Sequence, residues 1–380
     1  MIRVLQVIGG MNAGGMETML MNYYRNINNN EIQFDFLISA KKKCFYEDEI
    51  NALGGRIYRV TARRKNILKN RKEIRDFFRN NKYDIVEFHQ GITYFYPLKV
   101  AKKSGVKVRI IHNHGIDRKF LKKFKIYNEL YAKKRINGLA TNFFSCSKEV
   151  NEQLFTKKTL KRNKVNIINN AIDIEKYKYN EGSRKTIRQE LNIDEKTKVY
   201  GHIGTFTYPK NHNFLIDTFE QLSAIEENSC LILVGEGPLK NEIKKRIQEK
   251  KLEDKVIFLE RRNDINKILS AIDIFLFPSV FEGIPLTLIE AQANGLPIIM
   301  SNNISNEVLI NSNCYKVSLE DTRKWIDKIL SIKLESQEER INKNYMMQQS
   351  KYNIKQEAIK LANIYLNLAH SHQLRRLKHL

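Results

Sequence analysis

Apolar runs and amphipathic stretches alternate along the whole chain. In the first half the apolar runs are IRVLQVI, YDIVEFH, KVRIIHNH and LATNFFSCS, and helix-like segments such as METMLMNYYRNI and KEVNEQLF accompany them. In the second half VYGHIG, CLILVG, KVIFLE, DIFLFPS and LPIIMS alternate with HNFLIDTFEQLSAI and KNEIKKRIQEK. Strands that alternate with helices form parallel sheets. The pattern therefore predicts two α/β units, each built on a parallel sheet.

A polar stretch separates the two patterns and places the domain boundary near residues 175–196. We assign residues 1–178 to an N-terminal domain, 179–345 to a second domain, and 346–380 to C-terminal helices. The length of 380 residues suits two domains that each bury a core. Ligands of doubly wound sheets bind beyond the carboxyl ends of the strands, so two such domains predict a cleft between them.

Cysteine content and hydropathy indicate the compartment. The four cysteines, Cys44, Cys146, Cys230 and Cys314, are far apart and form no Cys-x-x-Cys pair. This spacing favours neither a zinc site nor a disulfide framework, and it suits a reducing compartment. The first residues do not resemble a signal peptide, and no apolar run approaches the roughly 20 residues that span a bilayer. We expect a cytoplasmic protein.

Positive charge is concentrated in the first half of the chain. The net charge is +24; residues 1–180 contain 37 Lys and Arg against 16 Asp and Glu (+21), and residues 181–380 contain 29 against 26 (+3). Residues 61–140 alone carry 22 basic and 6 acidic side chains (+16). Such a surface attracts anions, which indicates partners that carry phosphate.

The segment 118–135 combines this charge with aromatic residues at helical spacing: Phe120, Phe124, Tyr127 and Tyr131. A basic amphipathic helix can lie on an anionic membrane surface, where each basic residue near the headgroups contributes about 1 kcal/mol. A solvated surface helix fits the composition equally well. Nucleic-acid binding is the weakest of the three interpretations because no nucleic-acid motif accompanies the charge.

Two segments carry candidate chemistry. Gly14 and Gly15 follow the first predicted strand and precede a helix, where backbone amides attract phosphate. The segment is not a G-x-G-x-x-G fingerprint, and a glycine pair alone is more often a tight turn. The second segment, residues 275–300, is an apolar strand, a Pro-Ser break, the loop Glu282–Pro285 and a helix that contains Glu290. Amides at a helix start can hold hydroxyl or diphosphate oxygens, and a carboxylate suits a vicinal diol.

With these residues the chain resembles the family 4 glycosyltransferases, retaining nucleotide-sugar enzymes of the two-domain GT-B architecture. Besides the Glu-x7-Glu segment, the resemblance includes GGME from Gly14, INNAID after residue 167, GHIG from Gly201 through Lys210, and VGEGP from residue 234. Five motifs in the family's order are more specific than any one of them. The resemblance implies that the domains face each other across a cleft and that the C-terminal helices return to the N-terminal domain.

The resemblance also implies roles at the sugar and ribose end of the donor. Glu290 would bind the ribose hydroxyls. Glu282 would hold the transferred sugar together with the amides of Gly283, Ile284 and Pro285. Glu282 is therefore a candidate catalytic residue, and the other four are candidate donor-binding residues.

At the diphosphate, Lys210 would neutralise the negative charge that develops on the leaving group, so it is a second candidate catalytic residue. Gly204 and Thr205 would lie beside it, and Gly14 and Gly15 would approach the diphosphate from the opposite domain. Family members often have Arg where this chain has Thr205.

Because this chain has Thr205 in place of that arginine, two alternatives remain for binding the diphosphate. Either Arg261 or Arg262, in LERRNDI after a strand, reaches the donor, or Lys210 and backbone amides bind the diphosphate alone.

Three histidines follow strands of the basic half. The resemblance implies that His114 lies near the sugar and the acceptor as a third catalytic candidate, and His89 could line the acceptor pocket with less support. His112 and His114 offer only two ligands with no third in the local sequence, so a metal site is not expected here. The chain also lacks Asp-x-Asp, the pair that bridges Mn²⁺ or Mg²⁺ to a diphosphate, which favours a reaction without metal or other cofactor.

Together these features predict a retaining glycosyltransferase that uses a nucleotide sugar, with UDP the expected nucleotide. The resemblance suggests an undecaprenyl-diphosphate-linked acceptor in the assembly of exopolysaccharide, capsule or a related surface glycan. The enzyme would act peripherally at the inner face of the plasma membrane. Two alternatives stay open: a nucleotide-sugar epimerase of the same architecture, and a noncatalytic protein that binds anionic surfaces.

Overall fold

A computed structural model describes residues 1–89, 95–115, 126–162 and 165–377. The chain separates into two compact units. The first unit contains Met1–Ala171 together with Ile354–Leu380, and the second contains Ile172–Asn353. Each unit is an α/β domain with one parallel sheet, as the alternating pattern predicts.

The first unit begins with seven strands and seven helices among its described residues. The strands are β1 (Ile2–Ile8), β2 (Ile32–Ile38), β3 (Ile57–Arg59), β4 (Ile85–Phe88), β5 (Val108–Asn113), β6 (Asn142–Ser145) and β7 (Asn166–Ile167). The helices are α1 (Gly15–Asn26), α2 (Glu47–Ala52), α3 (Ile67–Asn80), α4 (Tyr96–Lys103), α5 (Ile126–Leu139), α6 (Lys148–Leu154) and α7 (Lys157–Arg162).

The second unit repeats the alternation. Its strands are β8 (Lys198–Ile203), β9 (Ser229–Val234), β10 (Val256–Leu259), β11 (Ile274–Phe277), β12 (Ile298–Ser301) and β13 (Cys314–Val317). Its helices are α8 (Glu181–Glu190), α9 (His212–Ile225), α10 (Lys240–Glu249), α11 (Ile265–Ala271), α12 (Leu286–Ala293), α13 (Thr322–Leu330) and α14 (Gln337–Gln348). The last helix, α15 (Ile354–Leu377), belongs to the first unit.

In each sheet the order of the strands reverses at the first strand of the unit. The order is β3-β2-β1-β4-β5-β6-β7 in the first unit and β10-β9-β8-β11-β12-β13 in the second, and the pairs are parallel. In such sheets the crevice at the carboxyl ends of the two strands flanking the reversal is the usual ligand site. The reversals lie between β1 and β4 and between β8 and β11, so the loops that follow these strands are the places to look for chemistry.

Burial on both faces explains the unbroken apolar runs in the sequence. All residues of β9 and of β11 are buried, as expected when helices cover both faces of a parallel sheet. The core of the second unit includes Phe219, Leu233 and the fully buried Trp325, and that of the first includes Val86 and Phe78. None of the four cysteines forms a disulfide.

The unit boundaries differ from the sequence-based assignment. Residues 172–178 belong to the second unit, because the Ile172 N–H donates to the Tyr352 carbonyl over 2.9 Å and the Asn344 side chain donates to the Ile174 carbonyl over 2.9 Å. Residues 346–353 also belong there, since Tyr352 is buried and its hydroxyl donates to the Glu307 carbonyl over 2.7 Å. These ties join both segments to the second unit.

The final helix completes the core of the first unit. Tyr365 on α15 is buried, packs edge-on against Phe34 at a ring distance of 6.0 Å, and donates its hydroxyl hydrogen to Glu87.

The apolar pattern of the sequence left four strands unassigned, namely β2, β3, β7 and β13. In β2 all seven residues are buried, including Asp35, whose carboxylate pairs with Arg3. The ion pair neutralises the charge that makes this run look less like a core strand.

We expect Asn344→Ala to destabilise the second unit by about 1–3 kcal/mol, because it removes the buried amide that donates to the carbonyls of both Ile174 and Ala293. Trp325 is the only tryptophan and lies in this unit, so its fluorescence during urea unfolding reports the unit's stability. Asn342→Ala, at an exposed position of the same helix, is the matched control. Equal urea midpoints for the two variants would contradict the role of Asn344.

Candidate active site

The loop after β8 positions Lys210. A 3-10 turn covers Tyr208–Lys210, and Asn211 follows with a φ of 56°, in the left-handed region that asparagine tolerates better than most residues. A Cβ built on Gly204 would lie 3.2 Å from both Cδ and Cε of Lys210. Glycine at 204 therefore lets the Lys210 side chain lie against the end of β8.

Two hydrogen bonds join this loop to the one that follows β11. The Val280 N–H donates to the Pro209 carbonyl over 2.8 Å, and the Asn211 side chain donates to the Pro278 carbonyl over 3.2 Å. The strands β8 and β11 are parallel neighbours, so their carboxyl ends meet at one edge of the sheet. The β8 and β11 loops therefore form one connected surface at the reversal point.

Lys210 and Glu282 form an ion pair on this surface. The Lys210 Nζ lies 2.7 Å from Glu282 Oε1 and 4.9 Å from the centre of the Phe277 ring. The side chains of Lys210 and Glu282 are 15% and 19% exposed, so the pair is partly shielded from water and still accessible. An anionic ligand can approach Lys210 and compete with the Glu282 carboxylate for its hydrogen bonds.

Glu290 is buried on α12, five residues into the helix. The Tyr177 hydroxyl donates to Glu290 Oε1 over 2.9 Å. Burial raises the pKa of the Glu290 carboxyl, and the hydrogen bond from Tyr177 partly opposes this shift. A buried carboxylate with one oriented donor is suited to accept hydrogen bonds from a ligand's hydroxyl groups.

Pro285 corrects one detail of the sequence-based assignment. It is the N-cap residue of α12, and proline has no backbone N–H. The prediction that a Pro285 amide holds the sugar is therefore wrong, and Pro285 can offer only its carbonyl and ring. The backbone donors of this segment belong to Gly283, Ile284 and the first turn of α12, where N–H groups have no partner within the helix.

The loop after β9 packs backbone against backbone on the β8 loop. A Cβ on Gly235, where φ is 144°, would lie 2.1 Å from the Gly204 carbonyl oxygen, so only glycine fits. The next residue, Glu236, accepts a hydrogen bond from the Phe206 N–H over 2.9 Å through its carbonyl. The Glu236 carboxylate lies 3.9 Å from the Arg261 guanidinium, which places Arg261 beside the loop that contacts Gly204.

The two arginines offered as substitutes at Thr205 differ in their surroundings. Arg262 pairs with Glu190 at 2.5 Å and with Asp264 at 2.8 Å, so its guanidinium is engaged by two carboxylates. Thr205 is exposed and shares a 3.3 Å hydrogen bond with Thr207. Of the two arginines, Arg261 is the one whose partner, Glu236, lies on the β9 loop that packs against the β8 loop.

In the first unit, Gly14 caps α1 and Gly15 is its first residue. A Cβ on Gly14 would lie 2.4 Å from Glu17 Oε2, whereas one on Gly15 would meet no described atom within 4 Å. Packing in the first unit therefore does not require glycine at position 15. Burial raises the pKa of the carboxyl of Glu17, the residue that a Cβ on Gly14 would meet. The assignment of both glycines to the donor diphosphate stays a prediction.

The three histidines converge at the carboxyl edge of the first sheet. His89 Nδ1 lies 2.8 Å from His114 Nε2, and the rings of His112 and His114 stack with centres 4.0 Å apart. The expectation that this pair has no third ligand nearby is wrong: β4 and β5 are adjacent, so His89 at the end of β4 joins the pair on β5. Burial lowers the pKa of His112 to about 3 and the pKa values of His89 and His114 well below their usual range, so all three are neutral at pH 7.

Most of the basic aromatic segment lies outside the described residues. Residues 116–125, with Phe120 and Phe124, are among those not described, and the side chain of Tyr127 is not described either. Tyr131 on α5 is exposed. Among the described residues, no helix has the length and apolar character needed to span a membrane. The membrane-docking interpretation stays a prediction.

Comparison with known proteins assigns the family. Residues 13–176 match the family model described as Glycosyltransferase Family 4, and residues 183–353 match the one described as Glycosyl transferases group 1. EpsF of Bacillus subtilis (strain 168), whose name places it among the glycosyltransferases, is 33% identical over 309 residues, or 80% of each chain. The chain is a family 4 glycosyltransferase.

Two further comparisons concern the fold and a characterised relative. An Escherichia coli enzyme named UDP-Gal:alpha-D-GlcNAc-diphosphoundecaprenol alpha-1,3-galactosyltransferase is 27% identical to this glycosyltransferase over 321 residues, which cover 79% of this chain and 80% of the enzyme. The crystal structure of Anabaena Alr3699/HepE in complex with UDP and glucose superposes with a TM-score of 0.79 at 16% identity, covering 97% of this chain and 100% of that one. The likeness to HepE shows that the glycosyltransferase has the GT-B fold.

Sequence reasoning missed several residues that the structure places beside the candidates. Tyr177 stands in a polar linker, and nothing in its surroundings marks it as a partner of Glu290. Gln6 and Glu87 carry a signal that could have been used: each is a polar residue inside an otherwise apolar strand. A buried polar residue requires a partner, and both contact the histidine cluster.

The raised pKa of Glu290 gives a pH dependence. The pKa of Glu290 is higher in the folded protein than in the unfolded chain, so ionisation of its carboxyl destabilises the folded state. This loss of stability grows as pH rises toward the folded-state pKa and is complete above it. We expect Glu290→Gln to stabilise the second unit increasingly as pH rises from about 4.5 to the folded-state pKa, and to have a constant effect at higher pH. Urea unfolding followed by Trp325 fluorescence measures this effect.

Glu253→Gln, at an exposed position of the same unit, is the control for loss of one charge. A stability difference between wild type and Glu290→Gln that stays flat with pH, or that shrinks as pH rises, would show that burial does not raise this pKa.

Proposed function

We propose that this glycosyltransferase transfers a sugar from a UDP-sugar to a saccharide carried on a lipid diphosphate during bacterial surface polysaccharide assembly. The observation that carries the proposal is the meeting of Lys210, Gly204 and the Glu282–Glu290 segment at the β8–β11 reversal point of the second unit. These residues supply a cation, close backbone approach and two carboxylates where parallel sheets bind nucleotides.

Lys210 is the residue best placed to stabilise the leaving group. Cleavage of the glycosidic bond transfers negative charge to the nucleoside diphosphate, and a fixed cation stabilises that charge more in a partly shielded site than in water. In the absence of donor the cation is balanced by Glu282 at 2.7 Å. Binding of a diphosphate then exchanges one anionic partner of Lys210 for another, and the released Glu282 carboxylate is close enough to accept from a sugar hydroxyl.

Glu290 is the proposed ribose ligand. Its carboxylate is held by the Tyr177 hydroxyl at 2.9 Å, and a vicinal diol can donate two hydrogen bonds to such a group. The N–H groups of Gly283 and Ile284 would complete the site around the sugar, and Arg261 would assist at the diphosphate beside Gly204 and Thr205.

UDP and the lipid carrier are inferred from the relatives. The Escherichia coli relative is named for a UDP-Gal donor and a diphosphoundecaprenol-linked acceptor, and the HepE structure contains UDP and glucose. We extend this chemistry to the present chain, with His114 on the acceptor side. The transfer would retain the anomeric configuration by attack on the same face as the leaving group.

No divalent cation is needed to bridge the diphosphate in this proposal. The cation of Lys210 and the backbone amides at the start of α12 would provide the electrostatic stabilisation that a Mg²⁺ or Mn²⁺ ion gives in other transferases.

We expect Lys210→Ala to lower kcat by about 10²- to 10³-fold, because it removes the cation that stabilises the leaving group. Release of UDP from UDP-galactose, UDP-glucose and their N-acetylated forms, with GlcNAc-diphosphoundecaprenol as acceptor, measures the rate. The same assay with GDP-sugars tests the nucleotide, and NMR of the product tests retention at the anomeric carbon.

Lys245→Ala is the matched control, since Lys245 lies in the same unit and pairs with Glu249 on the exposed face of α10. Near-normal turnover of Lys210→Ala would remove Lys210 from the mechanism. Absence of transfer from any UDP-sugar by the folded wild type would overturn the proposed donor.

The basic first half would bring the enzyme to an anionic membrane. We expect the full chain to sediment with vesicles that contain phosphatidylglycerol and to be released by salt. Replacing Lys122, Lys123 and Lys125 by Gln should weaken binding by roughly 100-fold, at about 1 kcal/mol for each residue. Replacing three lysines of the near-neutral half is the control. Binding that does not depend on anionic lipid would contradict membrane docking by charge.

A further inference from the structure

The histidine cluster at the carboxyl edge of the first sheet has the arrangement of a metal site. It is formed by His89 after β4 and by His112 and His114 at the end of β5. One ring nitrogen from each residue lies within 4.8 Å of the other two. The rings of His89 and His112 are 5.3 Å apart between centres, and those of His89 and His114 are 5.1 Å apart.

The outer nitrogens of two histidines are held by buried side chains. His112 Nδ1 lies 2.7 Å from Glu87 Oε1, and His89 Nε2 lies 2.7 Å from Gln6 Oε1. The Gln6 amide nitrogen lies 3.5 Å from the Tyr365 hydroxyl, which orients the Gln6 oxygen toward His89. The Gln6 amide oxygen and the Glu87 carboxylate accept, so His89 Nε2 and His112 Nδ1 carry hydrogens, and the lone pairs of these two rings lie on His89 Nδ1 and His112 Nε2; His89 Nδ1 in turn accepts from His114 Nε2. Metal-binding histidines usually donate their outer N–H in this way.

One of these lone pairs has no partner in the described structure. His112 is 3% exposed, and its Nε2 is buried without a hydrogen bond among the described residues. An unsatisfied buried acceptor costs about 1–3 kcal/mol. The His112 ring also stacks on the His114 ring, so its inner nitrogen is directed into the cluster. Among the described residues this atom therefore has a lone pair that a ligand can use.

We propose that His89, His112 and His114 bind one divalent transition-metal ion, with Zn²⁺ the preferred ion, through His89 Nδ1, His112 Nε2 and His114 Nε2. Glu87 and Gln6 are the residues that orient the ligands. Three imidazoles with no carboxylate in the ligand set suit Zn²⁺ and exclude Mg²⁺ or Ca²⁺ as the natural occupant.

Small ring movements and one change of tautomer form the site: His114 Nε2 donates to His89 Nδ1 in this structure, and its hydrogen must move to His114 Nδ1 before Nε2 can bind a metal ion. Tetrahedral Zn²⁺ with Zn–N bonds of about 2.0–2.1 Å needs ligand nitrogens about 3.3 Å apart. His89 Nδ1 and His114 Nε2 lie 2.8 Å apart, so they must separate by about 0.5 Å while His112 Nε2 moves inward. His114 is only partly buried, so a fourth coordination position would be open to water or to a hydroxyl group. This ion is separate from a cation that bridges a donor diphosphate.

Metal binding by the untagged full chain tests the proposal. The protein is stripped with a chelator, titrated with Zn²⁺ against a chromophoric competitor, and in parallel loaded with Co²⁺ for visible and X-ray absorption spectroscopy. We expect one tightly bound ion per chain and a Co²⁺ spectrum of tetrahedral, nitrogen-rich coordination. His112→Ala should weaken Zn²⁺ binding by more than 100-fold, and Glu87→Gln should weaken it by about 10- to 100-fold.

The control is the double variant His370→Asn and His372→Asn, which removes histidines of α15 outside the cluster and should bind Zn²⁺ as tightly as wild type. If that variant loses the ion, or if wild type binds no more tightly than His112→Ala, the proposal is overturned and the cluster is only a hydrogen-bonded network. Should His112→Ala not fold, the wild-type Co²⁺ spectrum decides: a six-coordinate, oxygen-rich spectrum contradicts the site.

Discussion

The candidate site depends on the ion pair between Lys210 and Glu282. The parallel pairing of β8 with β11 brings the two loops to one edge, two backbone-anchored hydrogen bonds hold them together, and the missing side chain at Gly204 leaves room for the lysine. A lysine and a glutamate 72 residues apart in sequence are thereby placed 2.7 Å apart and partly shielded from water. The pair keeps a cation ready for an anionic ligand and a carboxylate ready for a hydroxyl.

The first unit uses the same property of parallel sheets for different chemistry. Here adjacent strand ends bring together neutral imidazoles, and buried Gln6 and Glu87 set which ring nitrogens carry hydrogen. Tyr365 contributes from α15, which joins the cluster to the last helix of the chain. In both units, short buried strands that are mostly apolar hold a few polar groups in fixed positions. The loops after these strands supply the rest of the site.

The parts of this structure that sequence could predict are those encoded locally. Apolar runs gave most of the strands, and the order of five motifs gave the family and the GT-B fold, both of which are confirmed. Contacts between distant residues could not be predicted in this way. Tyr177 beside Glu290, Arg262 held by Glu190, and His89 joining His112 and His114 all depend on which strands and helices are neighbours. The unit boundary at 171/172 likewise depends on hydrogen bonds to α14 and its following turn.

The most direct measurement is the affinity for UDP of wild type and Glu282→Gln, determined by titration calorimetry. Removing the carboxylate frees Lys210 and removes a negative charge close to the diphosphate. The account predicts that Glu282→Gln binds UDP at least as tightly as wild type, while Lys210→Met binds it less tightly. Weaker UDP binding by Glu282→Gln with unchanged binding by Lys210→Met would contradict it, because the diphosphate would then not exchange with Glu282 at Lys210.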